Sequence, residues 1–166
     1  IKNIVLVHGA FADGSCYAEV IRYLQKLALT RLRAKSTNFA CSRRLELKRT
    51  LERVQGKSLL VGHSWGGVPI TDAGTHEKVA ALVYLLATLP DNGDVLEALE
   101  RQNAPMKGLS PDANGEIFLL AEAFADVMAN DLQLSKAAFG DKIGTAAWHK
   151  KPSFYLLTKN DQALAY

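Results

Sequence analysis

The feature that most constrains this 166-residue chain is the Gly-x-Ser-x-Gly motif at residues 62–66. The mostly apolar run 58–61 before it is typical of a buried parallel strand, and residues 68–73 after it can begin a helix. So tight a turn excludes side chains at Gly62 and Gly66 and strains the backbone at Ser64. In this context the motif predicts that Ser64 is a nucleophile held above the sheet. Without the flanking strand and helix it would be a common glycine-rich turn.

The composition is that of an ordinary globular protein, with 48% hydrophobic and 22% charged residues. We find no apolar run of membrane-spanning length and no charged-then-apolar leader, so we expect no membrane segment. Cys16 and Cys41 have neither a disulfide framework nor metal-ligand spacing. We therefore expect a reducing, cytoplasmic setting and no metal.

The positive charge of the chain is concentrated in one segment. Residues 31–49 hold seven of the 20 Lys and Arg residues and one acidic residue, Glu46, whereas the formal net charge is only +3. The remainder of the chain is therefore net acidic. Because no aromatic-basic surface pattern accompanies the basic segment, we expect no nucleic-acid partner.

The chain opens with a continuous apolar strand, residues 3–7, followed by a loop at 8–15 that contains Gly9 and Gly14. Apolar residues between 17 and 27 recur at helical spacing, with Ser15 as the expected N-cap. The two glycines do not form Gly-x-Gly-x-x-Gly, so this strand, loop and helix do not indicate a dinucleotide site. No nucleotide or flavin cofactor is implied.

Residues 5–14, Val-Leu-Val-His-Gly-Ala-Phe-Ala-Asp-Gly, resemble the first central strand and oxyanion loop of the α/β-hydrolase superfamily. They are most similar to its small cofactor-free esterases, the group related to plant methylesterases and hydroxynitrile lyases. Residues 61–67, 79–84 and 152–156 continue the resemblance in the same order. The resemblance implies an α/β fold, with a mostly parallel sheet, flanking helices and a small helical lid. It also implies a serine hydrolase acting on a small-molecule carboxylic ester.

The resemblance divides the chain into three parts. Residues 1–89 are expected to form the N-terminal part of the core, 90–150 a lid insertion, and 151–166 a core strand with the acid loop. Helices are expected near 95–101 and 120–130. One group of apolar residues could line an acyl pocket or form the lid's own small core: Ile117, Phe118, Leu119, Phe124, Val127 and Met128.

Acyl transfer needs two hydrogen-bond donors directed at the oxyanion of the tetrahedral intermediate. The backbone N–H of Trp65, directly after the serine, is the expected first donor. For the second, the resemblance implies the N–H of Ala10, with Phe11 as the neighbouring candidate. His8 lies in the same loop, and we expect it to shape the loop by hydrogen bonding rather than to carry protons.

The acid of a catalytic triad in this fold follows a strand end, and the order along the chain is nucleophile, acid, histidine. Asp161, just past the strand expected at 153–158, is the candidate acid. Asp91 and Asp94, after the preceding strand, are the alternatives.

No histidine of the chain fits the position of the general base. Of the four, His8 and His63 belong to glycine motifs, while His76 and His149 precede Asp161. We expect His149 to cap the entry of the last strand, at the sheet end away from Ser64. The catalytic histidine is then expected beyond Tyr166, after one more helix and strand.

Without that segment, the 166 residues should be inactive as an esterase. They should also be poorly soluble or homodimeric, because a sheet edge would be exposed. Two alternatives stay open: hydroxynitrile-lyase-like C–C cleavage on the same scaffold, and a catalytically inactive ligand-binding pseudo-hydrolase.

Residues 29–47 break the pattern, because charges occupy positions where the next core strand should be apolar. One interpretation is an exposed basic loop. The other is a local reading-frame shift, natural or introduced in sequencing, since shifted codons for residues 34–45 can encode a segment similar to those esterases. The frame would be restored near Lys48, where a helix is predicted before the strand at Ser58.

Overall fold

The computed structural model describes residues 1, 3–27, 31–34, 40–103, 109–114, 116–119 and 134–161. Its central strands are β1 (Asn3–Val7), β2 (Arg31–Ala34), β3 (Ser58–Ser64), β4 (Val79–Ala87) and β10 (Ser153–Leu156). They form a five-stranded parallel sheet in the order β10-β4-β3-β1-β2. The expected α/β architecture is confirmed. The helices are α1 (Ala18–Lys26), α2 (Ala40–Arg53), α3 (Gly67–Ala73) and α4 (Val95–Arg101).

Alternation of side chains along the strands builds two apolar layers, one on each face of the sheet. On one face, Val5 and Leu60 pack with Leu51 of α2 and Ile70 of α3. On the other, Ile4, Leu6 and Val61 pack with Tyr17, and the partly buried Ile21 and Leu24 of α1 cover them. Both faces of β1 are covered, as its continuous apolar sequence predicts.

The basic segment supplies an edge strand. Arg31–Ala34 pairs with β1 in parallel, from Asn3 opposite Arg31 to Leu6 opposite Ala34. An edge strand pairs on one side only and tolerates charged residues better than a central strand does. The interpretation of residues 29–47 as an exposed loop is therefore wrong for β2, and for α2, which already begins at Ala40. The reading-frame hypothesis stays a prediction.

The entry into α1 differs from the predicted cap. A short 3-10 helix, Gly14–Tyr17, precedes α1, and the Ser15 backbone N–H donates to Asp13 Oδ1 at 2.7 Å. Asp13 is thus the N-cap of the 3-10 helix, whereas the N-cap of α1 is Tyr17, which makes no side-chain capping hydrogen bond. The prediction of Ser15 as the N-cap was therefore wrong. The physical reason is that a carboxylate is as good a cap as a serine hydroxyl, and the local turn presents Asp13.

The segment between β4 and β10 contributes two smaller sheets. The strands β5 (Gly93–Asp94) and β9 (Lys142–Ile143) pair antiparallel, and β6 (Leu109–Pro111), β7 (Glu116–Leu119) and β8 (Leu134–Ser135) form the other sheet. The sequence predicted α4 but none of these strands. The helix expected near 120–130, with Phe124, Val127 and Met128, lies outside the described residues, as do the side chains of Phe118 and Leu119.

The two ends of this segment are joined where it leaves the core. The Ala146 N–H donates to Asn92 Oδ1 at 2.7 Å, and Trp148 Nε1 donates to the Pro90 carbonyl at 2.9 Å. Such bonds fix this segment to the end of β4. Among the helices that the structure describes, none has the length and apolar character needed to cross a bilayer.

Candidate active site

Ser64 lies at a sharp strand-to-helix turn. The strand β3 ends at Ser64 and α3 begins at Gly67, and Ser64 has a φ of +52°, in the left-handed region that costs free energy for a non-glycine residue. A Cβ atom at Gly62 would lie 2.6 Å from the Gly66 carbonyl oxygen, and one at Gly66 would overlap the Val7 carbonyl oxygen. The strained turn is therefore as the motif predicted. That Ser64 is a nucleophile stays a prediction.

The loop after β1 packs directly against the serine. A Cβ atom at Gly9 would lie 3.4 Å from both Ser64 Oγ and His63 Nδ1, and 3.0 Å from Ser64 Cβ. His8 is fully buried, and its Nδ1 lies 2.8 Å from the Gly9 carbonyl oxygen. Because a carbonyl oxygen only accepts, the His8 Nδ1 carries the proton of this bond. His8 thus stabilises the loop by hydrogen bonding, as expected. Gly9 of the same loop packs against Ser64.

Ala10, Phe11 and Trp65 meet in one apolar cluster beside Ser64. Ala10 and Trp65 are buried, and the partly buried Phe11 packs against them. The Trp65 ring meets the Phe139 ring edge to face, with 5.0 Å between centroids. The two elements expected to supply oxyanion donors are therefore adjacent. The donor roles of the Ala10 and Trp65 amides stay predictions.

A second strained residue lies beside the turn. The register between β3 and β4 shifts after His63, so that Ser64 pairs with Ala87, and Leu86 takes a φ of +44°. This is the geometry of a β-bulge, which re-aims a strand where it occurs. The bulge lets the Thr88 N–H donate to the Ser64 carbonyl at 3.0 Å.

Two side chains from distant parts of the sequence hold this bulge. The Tyr155 hydroxyl donates to the Ala87 carbonyl at 2.6 Å and accepts from the Ala87 N–H at 2.9 Å. Gln102 Nε2 also donates to the Ala87 carbonyl, and Gln102 Oε1 accepts from the Leu89 N–H. Sequence reasoning missed both residues, because nothing local in a single sequence marks a side chain that completes another strand's hydrogen bonds.

A buried hydroxyl relay fixes the first turn of α3. The Thr71 hydroxyl donates to the Gly67 carbonyl at 2.8 Å, so the Tyr84 hydroxyl is left to donate to Thr71 Oγ1, also at 2.8 Å. Burial raises the pKa of Tyr84 to about 12. Tyr84 stacks on Tyr155, with 6.1 Å between ring centroids, and this contact links the relay to the bulge.

The charge of the Asp161 carboxylate acts on His63. Desolvation lowers the pKa of His63 below its usual value although part of the residue stays exposed, and the charge of the Asp161 carboxylate opposes that shift. Asp161 follows β10, which runs parallel to β3 in the same sheet, and His63 directly precedes Ser64. That Asp161 is the acid stays a prediction. His63 was assigned only to the glycine motif in the sequence analysis. Its proximity to Gly9 and the effect of the Asp161 charge on its pKa became visible only in the tertiary structure.

The alternative acid Asp91 is paired elsewhere. His149 Nε2 lies 2.7 Å from Asp91 Oδ1, and this hydrogen bond lowers the pKa of the Asp91 carboxyl. His149 belongs to a 3-10 helix, Ala147–His149, ahead of β10 and stacks on Trp148. Of the other candidates, His76 Nδ1 accepts from the Lys78 N–H in the turn after α3, and Asp94 lies on β5 with its side chain outside the described part.

Within the part of the chain that the structure describes, no group of three or more His, Cys, Asp or Glu side chains could hold a metal ion.

A strained serine at the carboxyl end of a parallel strand, facing a glycine loop, is the arrangement typical of α/β hydrolases. The model of the Alpha/beta hydrolase family matches residues 4–166. The chain therefore belongs to the α/β hydrolase family.

Curated relatives with esterase names align with parts of the chain. A carbendazim hydrolyzing esterase of Nocardioides sp. (strain SG-4G) is 34% identical over 114 residues, covering 60% of this chain and 47% of the relative. A pyrethroid hydrolase of Sphingobium wenxiniae is 30% identical, covering 65% of this chain and 44% of the relative. Methylesterase 4 of Arabidopsis thaliana is 32% identical, covering 54% of this chain and 41% of the relative. The chain thus spans less than half the length of each of these relatives.

Solved structures confirm the fold. A pyrethroid hydrolase from Sphingobium faniae superposes with a TM-score of 0.80 at 22% identity, covering 98% of this chain and 80% of that structure. Polyneuridine aldehyde esterase superposes with a TM-score of 0.76 at 19% identity, covering 99% of this chain and 82% of that structure.

Proposed function

We propose that this chain carries the nucleophile, the oxyanion donors and the acid of a serine esterase. The observation that carries the proposal is the strained Ser64, whose Oγ faces the Gly9 loop at the end of β3. The esterase and hydrolase names of the aligned relatives support the reaction class. Substrates are small-molecule carboxylic esters, and we propose a cytoplasmic setting, in keeping with the free, exposed Cys16.

In the proposed reaction Ser64 Oγ attacks the ester carbonyl carbon and forms a tetrahedral intermediate. The Trp65 and Ala10 backbone N–H groups stabilise its oxyanion. Collapse of the intermediate expels the alcohol, and water then hydrolyses the acyl-enzyme. Asp161 orients a histidine, which takes the serine proton and returns it to the leaving alcohol. We place that histidine beyond Tyr166, in keeping with the order of the triad along the chain.

Labelling with a fluorophosphonate tests the nucleophile separately from turnover. The reagent should add to one serine, and peptide mass spectrometry should locate the adduct at Ser64. Added imidazole, which can take the proton that a missing histidine would take, should accelerate the labelling.

Two variants control this experiment. Ser64→Ala should abolish labelling, whereas Ser153→Ala should not, because Ser153 is an exposed serine at the start of β10. Labelling spread over several serines, or unchanged in Ser64→Ala, would contradict the proposal.

A further inference from the structure

The peptide group between Ala87 and Thr88 is hydrogen-bonded at both of its ends. Its carbonyl oxygen accepts from Gln102 Nε2 at 3.2 Å and from the Tyr155 hydroxyl at 2.6 Å, so that both lone pairs are used. Its N–H donates to the Ser64 carbonyl at 3.0 Å. Ala87 and Thr88 are buried, and a buried hydrogen bond is electrostatically stronger than one in water. This one peptide group therefore connects two distant side chains to the candidate nucleophile.

Gln102 is held in place where it makes its bond. It directly follows α4, and its backbone N–H donates to the Ala98 carbonyl at 3.0 Å, which extends the helical pattern by one residue. Its Oε1 accepts from the Leu89 N–H at 3.0 Å, and this bond settles which end of the side-chain amide is the donor. The helix itself shares an apolar cluster with Trp65 through Leu99. The Gln102 side chain is thus oriented by α4 and by the residues after β4.

A second peptide group continues the connection from Ser64 to Trp65. The Ser64 carbonyl, which accepts from the Thr88 N–H, belongs to the same peptide group as the Trp65 N–H. Because a peptide group is planar and trans, its C=O and N–H point in opposite directions. The bond from Thr88 therefore fixes the direction of the Trp65 N–H. It also polarises that N–H, since successive hydrogen bonds in a chain strengthen one another by about 10–30% each.

We propose that Gln102 is a positioning residue for oxyanion binding, which acts through these two peptide groups on the Trp65 N–H. This inference rests on the proposed function, because it takes that N–H as an oxyanion donor. Loss of a whole oxyanion donor costs about 10²–10³-fold in rate. Loss of the Gln102 bond weakens the donor without removing it, so a rate loss of about two- to eightfold is expected.

Gln102→Glu in the full 166-residue chain is the first test. The introduced carboxylate still accepts from the Leu89 N–H, but it has no proton to donate to the Ala87 carbonyl. Fluorophosphonate labelling at Ser64, with imidazole and at several reagent concentrations, gives a maximal rate constant and a half-saturating concentration. The maximal rate constant should fall about two- to eightfold and the half-saturating concentration should stay the same, because charge develops on the oxyanion only in the transition state.

The pH dependence distinguishes positioning from a merely structural role. Protonation makes the introduced carboxyl a donor again, so the labelling rate of Gln102→Glu relative to the parent chain should recover between about pH 8 and pH 5. Gln102→Met has neither a charge nor a proton to regain, and its loss should be the same at every pH. Gln25→Glu, at an exposed position on α1, is the control and should label as the parent chain does.

Nuclear magnetic resonance follows the same chain of hydrogen bonds without labelling. A donor that polarises a carbonyl deshields its carbon, so the Ser64 carbonyl carbon should move upfield in Gln102→Met. Should one of the two Gln102 variants fail to fold, the other carries both measurements. Parental labelling rates in the Gln102 variants, a loss in Gln102→Glu that does not recover at low pH, or an unmoved Ser64 carbonyl carbon would overturn the proposal.

The outcomes separate this inference from the proposed function. Absence of labelling at Ser64 in the parent chain removes the nucleophile, while the position of the Ser64 carbonyl signal stays measurable. Normal labelling of the parent chain, with Gln102 variants that behave identically to it, removes only the role of Gln102.

Discussion

At the scale of single residues, the turn at Ser64 has no space for a side chain at its glycine positions. A Cβ atom at Gly62 would lie 2.6 Å from the Gly66 carbonyl oxygen and 2.8 Å from Ile70 Cδ1, and backbone cannot move away as a side chain can. Gly62→Ala should therefore lower the free energy of unfolding by about 3 kcal/mol or more. Chemical denaturation measures the loss.

Gly140→Ala is the matched control, because no atom of the described residues lies within 4 Å of a Cβ atom at Gly140. It should change the unfolding free energy by less than about 0.5 kcal/mol. Equal stability of the two variants would mean that the Ser64 turn is not packed as described.

The pKa of His63 reports the charge of Asp161. Desolvation holds this pKa below 6.5 and the Asp161 carboxylate opposes the shift, so Asp161→Asn should lower it further. Titration of the His63 ring signals by nuclear magnetic resonance measures the change. Asp91→Asn is the control and should leave His63 unchanged, because Asp91 pairs with His149. No response to Asp161→Asn would place Asp161 away from the site.

The same shift has a consequence for stability. Since the folded chain binds the His63 proton less readily than the unfolded chain, stability falls as the pH drops from about 6.5 towards the lower folded pKa. Above 6.5 both states are neutral at His63, and the stability is unaffected by this group. His63→Gln should remove this part of the pH dependence, which thermal unfolding at a series of pH values would detect.

At the scale of elements, the bulge in β4 depends on a hydroxyl from β10. Tyr155→Phe removes both hydrogen bonds to Ala87 and should lower the free energy of unfolding by about 1–2 kcal/mol. The Thr88 N–H, which donates to the Ser64 carbonyl, should also exchange faster with solvent. Hydrogen exchange and denaturation measure the two effects.

Tyr23→Phe is the control for Tyr155→Phe. Tyr23 is 66% exposed on α1, so loss of its hydroxyl should alter neither quantity. Unchanged exchange at Thr88 in Tyr155→Phe would show that the bulge does not depend on the hydroxyl.

At the scale of the whole molecule, β10 forms one edge of the central sheet and exposes apolar side chains. Phe154 and Leu156 are 63% and 57% exposed and share one face of the strand. Edge strands of this kind pair with other chains unless charges block them. We therefore expect the 166-residue chain to associate, and Leu156→Lys to shift it towards the monomer in size-exclusion chromatography with light scattering.

The matched control is Leu96→Lys, at a position 49% exposed on α4 and outside the sheet. It should leave the association state unchanged. A monomeric parent chain, or equal effects of the two lysines, would contradict association through β10.

Local patterns were enough to predict the centre of the fold. The strands β1, β3 and β4 and the turn at Ser64 follow from short apolar runs and from glycines that no other residue can replace. These features depend on interactions between residues a few positions apart, so a local stretch of sequence is enough to predict them. The edge strand β2 was missed because charged residues obscure the apolar signal that a central strand would carry.

The tertiary structure decided the rest. Tyr155 reaches Ala87 across 68 positions, a contact that no local pattern marks. The pairing of His149 with Asp91 spans 58 positions. Such contacts depend on strand order, register and the path of the insertion. A single sequence constrains these only through the sum of many weak interactions, so local patterns predicted the serine turn, whereas its supports appeared only in the assembled fold.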